Sequence, residues 1–438
     1  MANDAFALTG VSRGALERQL LPSVAFVGLL LLVFVGLDAF SPPMPVSQFG
    51  GVTETSRGDA LRQILYLSVF GLIVLGAVQR LGLAAIRAIP IVLGLLLVWC
   101  VASAFWAAEP GIVLRRAGLE VILVLSILLS VDTIGAERAF RLWRVVLAVI
   151  LAVNWISIPL IAVAKHLPGE IDPALVGNWR GLYGHKNIAG AVCAITALLF
   201  LFSRNGKYNW IGIAVALAAI AFLVMTRSKT SLGLLPLALA AGAIYQLNWR
   251  DSLSRAIVTA AALLLLAGLI LFVILDAGAI AHMLEDPAEF TGRAAIWAAE
   301  LHYIQDHPLL GAGFGTFADN GGQSPLHGYI NGSWVEAVSH GHNGYLQLWV
   351  TVGGVGFVLA LGALILVPLL SFWDLNFDGS AFKPLLFGMF VFLVLHNVME
   401  SDFLEGDGVT WAAFLLMLAA LRTQSGRSAG LLQDRARY

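Results

Sequence analysis

The sequence predicts an all-α, polytopic integral membrane protein, and three observations carry that prediction. Of its 438 residues, 59% are apolar and only 12% are charged, with a mean hydropathy of +0.85. A soluble chain of this length needs roughly 25% charged residues to cover its surface, so most of this surface faces lipid. Apolar runs near the ~20 residues that a bilayer requires recur about twelve times. They are continuous rather than alternating, and too long for barrel strands, so each must satisfy its backbone internally as a helix.

In chain order the spans are expected at Leu20–Phe40, Leu61–Val78, Ala88–Phe105, Ile112–Val131, Leu142–Ala164, Ile188–Phe202, Trp210–Thr226, Thr230–Leu247, Ala256–Leu275, Asn343–Leu370, Pro384–Met399 and Gly408–Leu421. The first reads as a retained span: it is too long for a signal core, and "DAFSPPMP" offers no small-x-small cleavage site. No internal repeat or low-complexity tract divides the chain, so residues 1–438 read as one polytopic domain. Its longest hydrophilic segment, 276–341, forms a loop between the ninth and tenth spans. Within it "GRAAIWAAELHYIQ" places Ile296, Trp297, Leu301 and Ile304 at helical spacing. An amphipathic helix lying on the membrane surface is expected there. "HPLLGAGFGTF" follows as a Pro- and Gly-rich turn. Its Gly-x-Gly does not sit between a strand and a helix, which removes a dinucleotide reading.

Lys and Arg set the orientation. With the N-terminus inside, every cytoplasmic connection carries a basic residue, from Arg13 and Arg18 through Arg138, Arg141 and Arg144 to Lys383 and Arg422. Both termini are then cytoplasmic and the 276–341 loop is outside. The cytoplasmic connections are too short for a nucleotide-binding domain. A net charge of −1 and the lack of a basic domain leave nothing to bind nucleic acid. Cys100 and Cys193 fall inside spans, so neither a disulfide framework nor a metal knuckle is implied. All nine histidines fall outside or at outer helix ends. Several cations also lie there, against the usual bias, so any chemistry belongs to the outer face.

Each candidate residue has a plain structural alternative. Arg227 and Lys229, in "VMTRSKTS" after the seventh span, are either interfacial cations snorkelling to head groups or a grip for a diphosphate. Arginine suits the second task because its planar fork binds phosphate oxygens bidentately and stays charged. Arg293 heads the loop helix, where the dipole disfavours a cation; a clamp across a cleft from Arg227 is the functional alternative. Arg180 in "NWRGLYGHKN" and His185, Lys186 and Asn187, which open the sixth span, divide evenly between a polar cap and a binding cluster. Arg115 and Arg116 begin the fourth span, and Glu120 one turn on makes an Arg116–Glu120 structural pair the leading account. His340 and His342, with His327 as a third ligand, could suggest a metal. The His-x-His runs into a helix start, however, and no cysteine supports it, so no metal is expected. His342 and Asn343 instead stand at the lip of a span, where an imidazole can align or deprotonate a hydroxyl.

Taken in order, "RGLYGHKNIAG", "TRSKTS", "TGRAAIW", "HPLLGAGFGTF", "HGHNGYLQLWVTVGGVG" and "HNVMESDFL" resemble the O-antigen ligase and polymerase superfamily of bacterial envelope glycosyltransferases. The "GHKN" and "TRSKT" forms look most like its exopolysaccharide-polymerase branch. The resemblance implies a metal-independent and cofactor-free glycosyltransferase of the bacterial inner membrane, working on the periplasmic side. It implies an undecaprenyl-diphosphate-linked oligosaccharide as donor and a glycan hydroxyl as acceptor. Arg227 and Arg293 would bind the diphosphate and His342 would activate the acceptor. Arg180, His185, Lys186, Asn187, Lys229, Asn343 and Arg116 would line the substrates. A flippase and a chain-length regulator are the expected partners beside the lipid bilayer. The alternative within the family is a ligase that passes the glycan to a lipid A core. A secondary transporter is the rival from another class, but neither midplane charges nor repeat symmetry are visible.

Overall fold

The computed structural model describes residues 13–41, 60–170, 173–202, 210–248, 293–316, 325–329, 341–374 and 382–435. Among the described residues there is no strand, only an isolated antiparallel bridge between Lys165 and Trp179. The helices are α1 (Arg13–Phe34), α2 (Ala60–Leu81), α3 (Ile91–Ala102), α4 (Pro110–Ile134), α5 (Ala136–Leu160), α6 (Lys186–Leu201) and α7 (Trp210–Thr226). They continue as α8 (Lys229–Asn248), α9 (Arg293–Asp306), α10 (Gly344–Leu361), α11 (Val367–Asp374), α12 (Phe382–His396) and α13 (Val409–Arg435). The expected ninth span, Ala256–Leu275, and most of the 276–341 loop lie outside the described residues.

Among the described residues, four stretches are long and apolar enough to cross a membrane: Ala60–Ile86, Pro110–Ile134, Ala136–Leu160 and Gly344–Trp373. Shorter apolar helices accompany them, among them Leu20–Phe34, Lys186–Leu201 and Trp210–Thr226. Large apolar side chains stand bare, with Phe105 93%, Leu83 87% and Ile91 80% exposed. Contiguous apolar surface of this kind needs a lipid cover, and the chain is a membrane protein. Inside the bundle the first part of α13, residues 409–421, is almost wholly apolar. Trp411 and Phe414 through Met417 are almost fully buried, as a helix surrounded by others must be. α6 packs on α7, α8 on α12, and α4 on both α2 and α13. Small residues permit close approach: a Cβ on Gly190 would meet the Ser228 Cβ at 2.6 Å.

The tenth span departs from the expected continuous helix. α10 breaks at Gly353, whose φ of 67° and ψ of 179° are not helical, and a π turn, Gly362–Leu366, separates it from α11. The break is filled by the "HPLLGAG" turn. The amides of Gly354 and Val355 donate to the carbonyls of Pro308 (2.8 Å) and Leu309 (3.3 Å). In return Ala312 and Gly313 donate to Val350 (2.8 Å) and Thr351 (2.9 Å). A broken helix at this depth survives only if its freed groups are satisfied by protein. Here the turn supplies them, and Gly353 admits its backbone because a side chain there would collide with Leu309.

α9 forms as expected, but on a different seam. Ala294, Ile296, Ala299, Glu300, Tyr303 and Ile304 are buried, packing with Leu326 and Val350, while Leu301 is 39% exposed. The buried face therefore includes a carboxyl that apolar spacing does not reveal. The first span also ends early: the helix stops at Phe34, and residues 35–41 curl over the bundle with Gly36 and Phe40 at positive φ. Phe40 donates to the Leu182 carbonyl at 3.0 Å, which draws this curl onto the loop before α6.

Candidate functional site

The ends of α7 and α12 and the starts of α6, α8, α9 and α10 converge at one end of the bundle, where two turns meet. The first is cationic. Between α7 and α8, Arg227 adopts φ +52°, a left-handed backbone that costs roughly 1–2 kcal/mol for a residue with a side chain. Three bonds hold it there. The Arg227 amide donates to Val224 (3.1 Å), the Ser228 amide to Thr226 Oγ1 (3.2 Å), and Lys186 Nζ to the Arg227 carbonyl (3.2 Å). Ser228 is fully buried against Gly190, while the Arg227 and Lys229 side chains face outward. Among the described residues neither of these two side chains has a bonding partner. Arg227, Lys229 and Lys186 thus gather three cations at one mouth.

The α6 start supports this turn. His185 caps the helix, its Nδ1 accepting from the Asn187 amide at 3.2 Å. The Lys186 amide donates to His166 Nε2 at 3.1 Å, and the two imidazoles meet edge to face at 5.3 Å. Burial pushes the His166 pKa down, against the pull of Glu170 on its Nδ1. A neutral ring is what lets Nε2 accept.

The second turn, which follows α12, is acidic. Glu400 Oε1 accepts from Asn187 Nδ2 at 2.7 Å and from Arg293 at 3.1 Å, and Oε2 lies 3.4 Å from His342 Nδ1. Arg293 also donates to the Met399 carbonyl. Burial alone would raise the Glu400 pKa. The His342 hydrogen bond and the charges of Arg293, His396 and His342 outweigh it and bring the pKa down to about 2. The α10 start is pinned here: the Gly344 amide donates to the carbonyls of Asn397 (2.8 Å) and Glu400 (3.0 Å), and the Asn343 amide to Ser401 Oγ (3.1 Å). Asn343 caps α10, its Oδ1 accepting from Tyr345 (3.0 Å) and Leu346 (3.2 Å). Between cap and loop, His342 sits at φ +52°. Both leading candidates, Arg227 and His342, are thus held in the left-handed region, a conformation that persists only where the surroundings over-determine it.

Not every expected residue reaches this junction. Arg180 is 1% exposed and spends its guanidinium on three carbonyls, those of Val163 (2.7 Å), Gly184 (2.8 Å) and Ser41 (3.2 Å). That is the geometry of a loop brace. The Arg116–Glu120 pair does not form: Arg116 donates to the Gly315 carbonyl, while Glu120 accepts from Trp411 Nε1 at 2.6 Å. Both side chains find partners on other segments, which one-turn spacing cannot foresee. Arg293 reaches the site, but through Glu400 rather than as an open cation.

Sequence reasoning misses Glu400, although "HNVMESDFL" displays a carboxylate at a span end. It also misses Glu300, which is fully buried against Gly341, both its oxygens without a hydrogen-bond partner among the described residues; burial keeps its pKa well above the usual carboxylate range. Among the described residues no three His, Cys, Asp or Glu side chains are grouped to hold a metal. His340 and the His327 side chain, two of the three ligands considered, lie outside the described residues.

Comparison with curated proteins returned no match. The family model described as O-antigen ligase matches residues 213–361, from α7 through α10, and so takes in Arg227, Lys229, Arg293, His342 and Asn343. It does not reach Arg116, Arg180, the α6 start or Glu400. Over this segment, which holds both the cationic turn and His342, the chain is similar to the O-antigen ligase family.

Proposed function

We propose that the protein is a polysaccharide polymerase of the bacterial inner membrane. It transfers a glycan from an undecaprenyl-diphosphate carrier to a hydroxyl of an acceptor repeat unit on the periplasmic face. The observation that carries this reading is the His342–Glu400 pair beside an outward-facing cation cluster. In the transfer step the carrier's tail stays in the bilayer while its diphosphate meets Arg227, with Lys229 and Lys186 alongside. These cations stabilise the charge that grows on the leaving diphosphate, so none of that work requires a metal. The acceptor hydroxyl oxygen forms the new bond at the anomeric carbon as the bond to the diphosphate breaks.

His342 aligns that hydroxyl and takes its proton. Glu400 stays ionised, so it orients the ring through Nδ1 and stabilises the imidazolium without itself taking the proton. The proton then passes from His342 to solvent. Arg293 holds Glu400 in place, and Arg180, His185 and Asn343 shape the loops. The Lys and Arg distribution supports cytoplasmic termini and a periplasmic 276–341 loop. A flippase that delivers the carrier and a chain-length regulator fit as partners.

The test is transfer by purified, reconstituted protein in excess chelator. Activity should persist; loss restored by one divalent ion would return the histidines to the role of metal ligands. The similarity to the O-antigen ligase family favours a ligase, passing the glycan to a lipid A core, as the second reading. Deleting the protein separates the two: a polymerase mutant accumulates single lipid-linked repeats, a ligase mutant full-length chains.

A further inference from the structure

Resting on that reading, we propose that His396 is a positioning residue that ties the cationic turn to the acidic turn through a buried Ser228–Ser231–His396–Asp402 relay. Ser228 Oγ donates to Ser231 Oγ at 3.3 Å, and Ser231 Oγ lies 3.3 Å from His396 Nε2. On the other side of the ring, Nδ1 meets Asp402 Oδ2 at 2.6 Å, and Thr410 Oγ1 donates to Asp402 Oδ1 at 2.7 Å. With Nδ1–H fixed by the carboxylate, the ring joins Ser231 on one side to Asp402 on the other.

The connectivity resembles that of a nucleophilic serine triad, but burial excludes such chemistry. Ser228 and Ser231 are fully buried and His396 is 1% exposed, so no substrate carbon can approach Ser231. What remains is a link between the two halves of the site. Ser228 directly follows the strained Arg227, and the His396 carbonyl accepts from the Glu400 amide at 2.9 Å. Connected buried networks rigidify what they join. The relay therefore aims Arg227 from one end and seats Glu400 from the other, while touching neither substrate.

Amide replacements separate the two arms. His396→Asn keeps a donor where Nδ1–H meets Asp402 but loses Ser231; His396→Gln keeps a group near Ser231 but releases Asp402. The readouts are binding of undecaprenyl diphosphate itself and single-turnover transfer at saturating donor, on proteins shown to be folded by size exclusion in detergent. Ser231→Ala and His396→Asn should both weaken carrier binding by about tenfold, the scale of one lost hydrogen bond, and slow transfer alongside, because Arg227 serves both steps. His396→Gln should slow transfer by about tenfold with carrier binding unchanged. Equal losses in both readouts for all three variants, or no loss in any, would overturn the relay while a working wild type leaves the proposed function intact. Wild-type protein that neither binds the carrier nor transfers would overturn the functional reading, and the relay's role with it.

Discussion

At the Arg227 turn the charges face outward and the backbone carries the strain, whereas at the Glu400 turn the charge is buried and each carboxylate oxygen is engaged. The two constructions suit two tasks. Arg227 and Lys229, exposed on a fixed backbone, can grasp a mobile anion and let it go, since among the described residues neither side chain is held in an ion pair. A buried carboxylate held by Asn187, Arg293 and His342 cannot move, and a fixed charge is what orients an imidazole. A transferase with one substrate anchored in lipid and another arriving from water needs both kinds of turn side by side.

The sharpest way to break the comparison is Arg227→Lys. It keeps the charge but loses the bidentate fork, so transfer should slow by ~10²–10³-fold, as when one charge-stabilising donor is removed from a transition state. Wild-type turnover in the folded variant would remove Arg227 from the diphosphate. Glu400→Gln probes the other turn. It retains the shape and the Asn187 contact but withdraws the charge from His342 and Arg293, a loss of ~1.5–3 kcal/mol, or ~10–10²-fold in transfer. Carrier binding measured in parallel should change little, because the outward cations remain.

Acid titration gives a third, smaller effect. The Glu400 pKa is depressed in the folded state from 4.5 to about 2. Its contribution is therefore complete above the unfolded value and is lost as pH falls from about 4.5 towards 2. At 1.36 kcal/mol per pH unit that is at most about 3 kcal/mol. Thermal unfolding in detergent should show the midpoint falling across this window, and Glu400→Gln should flatten that portion. An unaltered slope in the variant would mean that Glu400 is not ionised in its pair.

The difference between the turns also explains what the sequence reveals. Apolar run lengths locate the described apolar helices, because burial in lipid demands long apolar segments whatever their neighbours. They do not foresee the break at Gly353, which exists only because a distant Pro308–Gly313 turn satisfies it. Arg227, Lys229 and Lys186 stand out because, in the orientation expected from the Lys and Arg distribution, cations at these span ends oppose the usual topology bias. Glu400 and Glu300 are silent: a carboxylate at a span end looks ordinary, and its burial depends on Asn187, Arg293 and Gly341 arriving from elsewhere. Arg180 misleads because its charge suggests a ligand, while its carbonyl partners are Val163 and Gly184 of its own α5–α6 connection and Ser41 from the segment after α1.

The central claim is that gripping the carrier diphosphate and activating the acceptor hydroxyl belong to different turns. The most direct measurement is carrier affinity and single-turnover transfer in one preparation of folded His342→Ala protein. The account predicts nearly unchanged affinity for undecaprenyl diphosphate and transfer slower by ~10²–10⁴-fold, the range for losing a general base. Transfer at the wild-type rate, or a loss of carrier affinity that accounts for the whole defect, would contradict it.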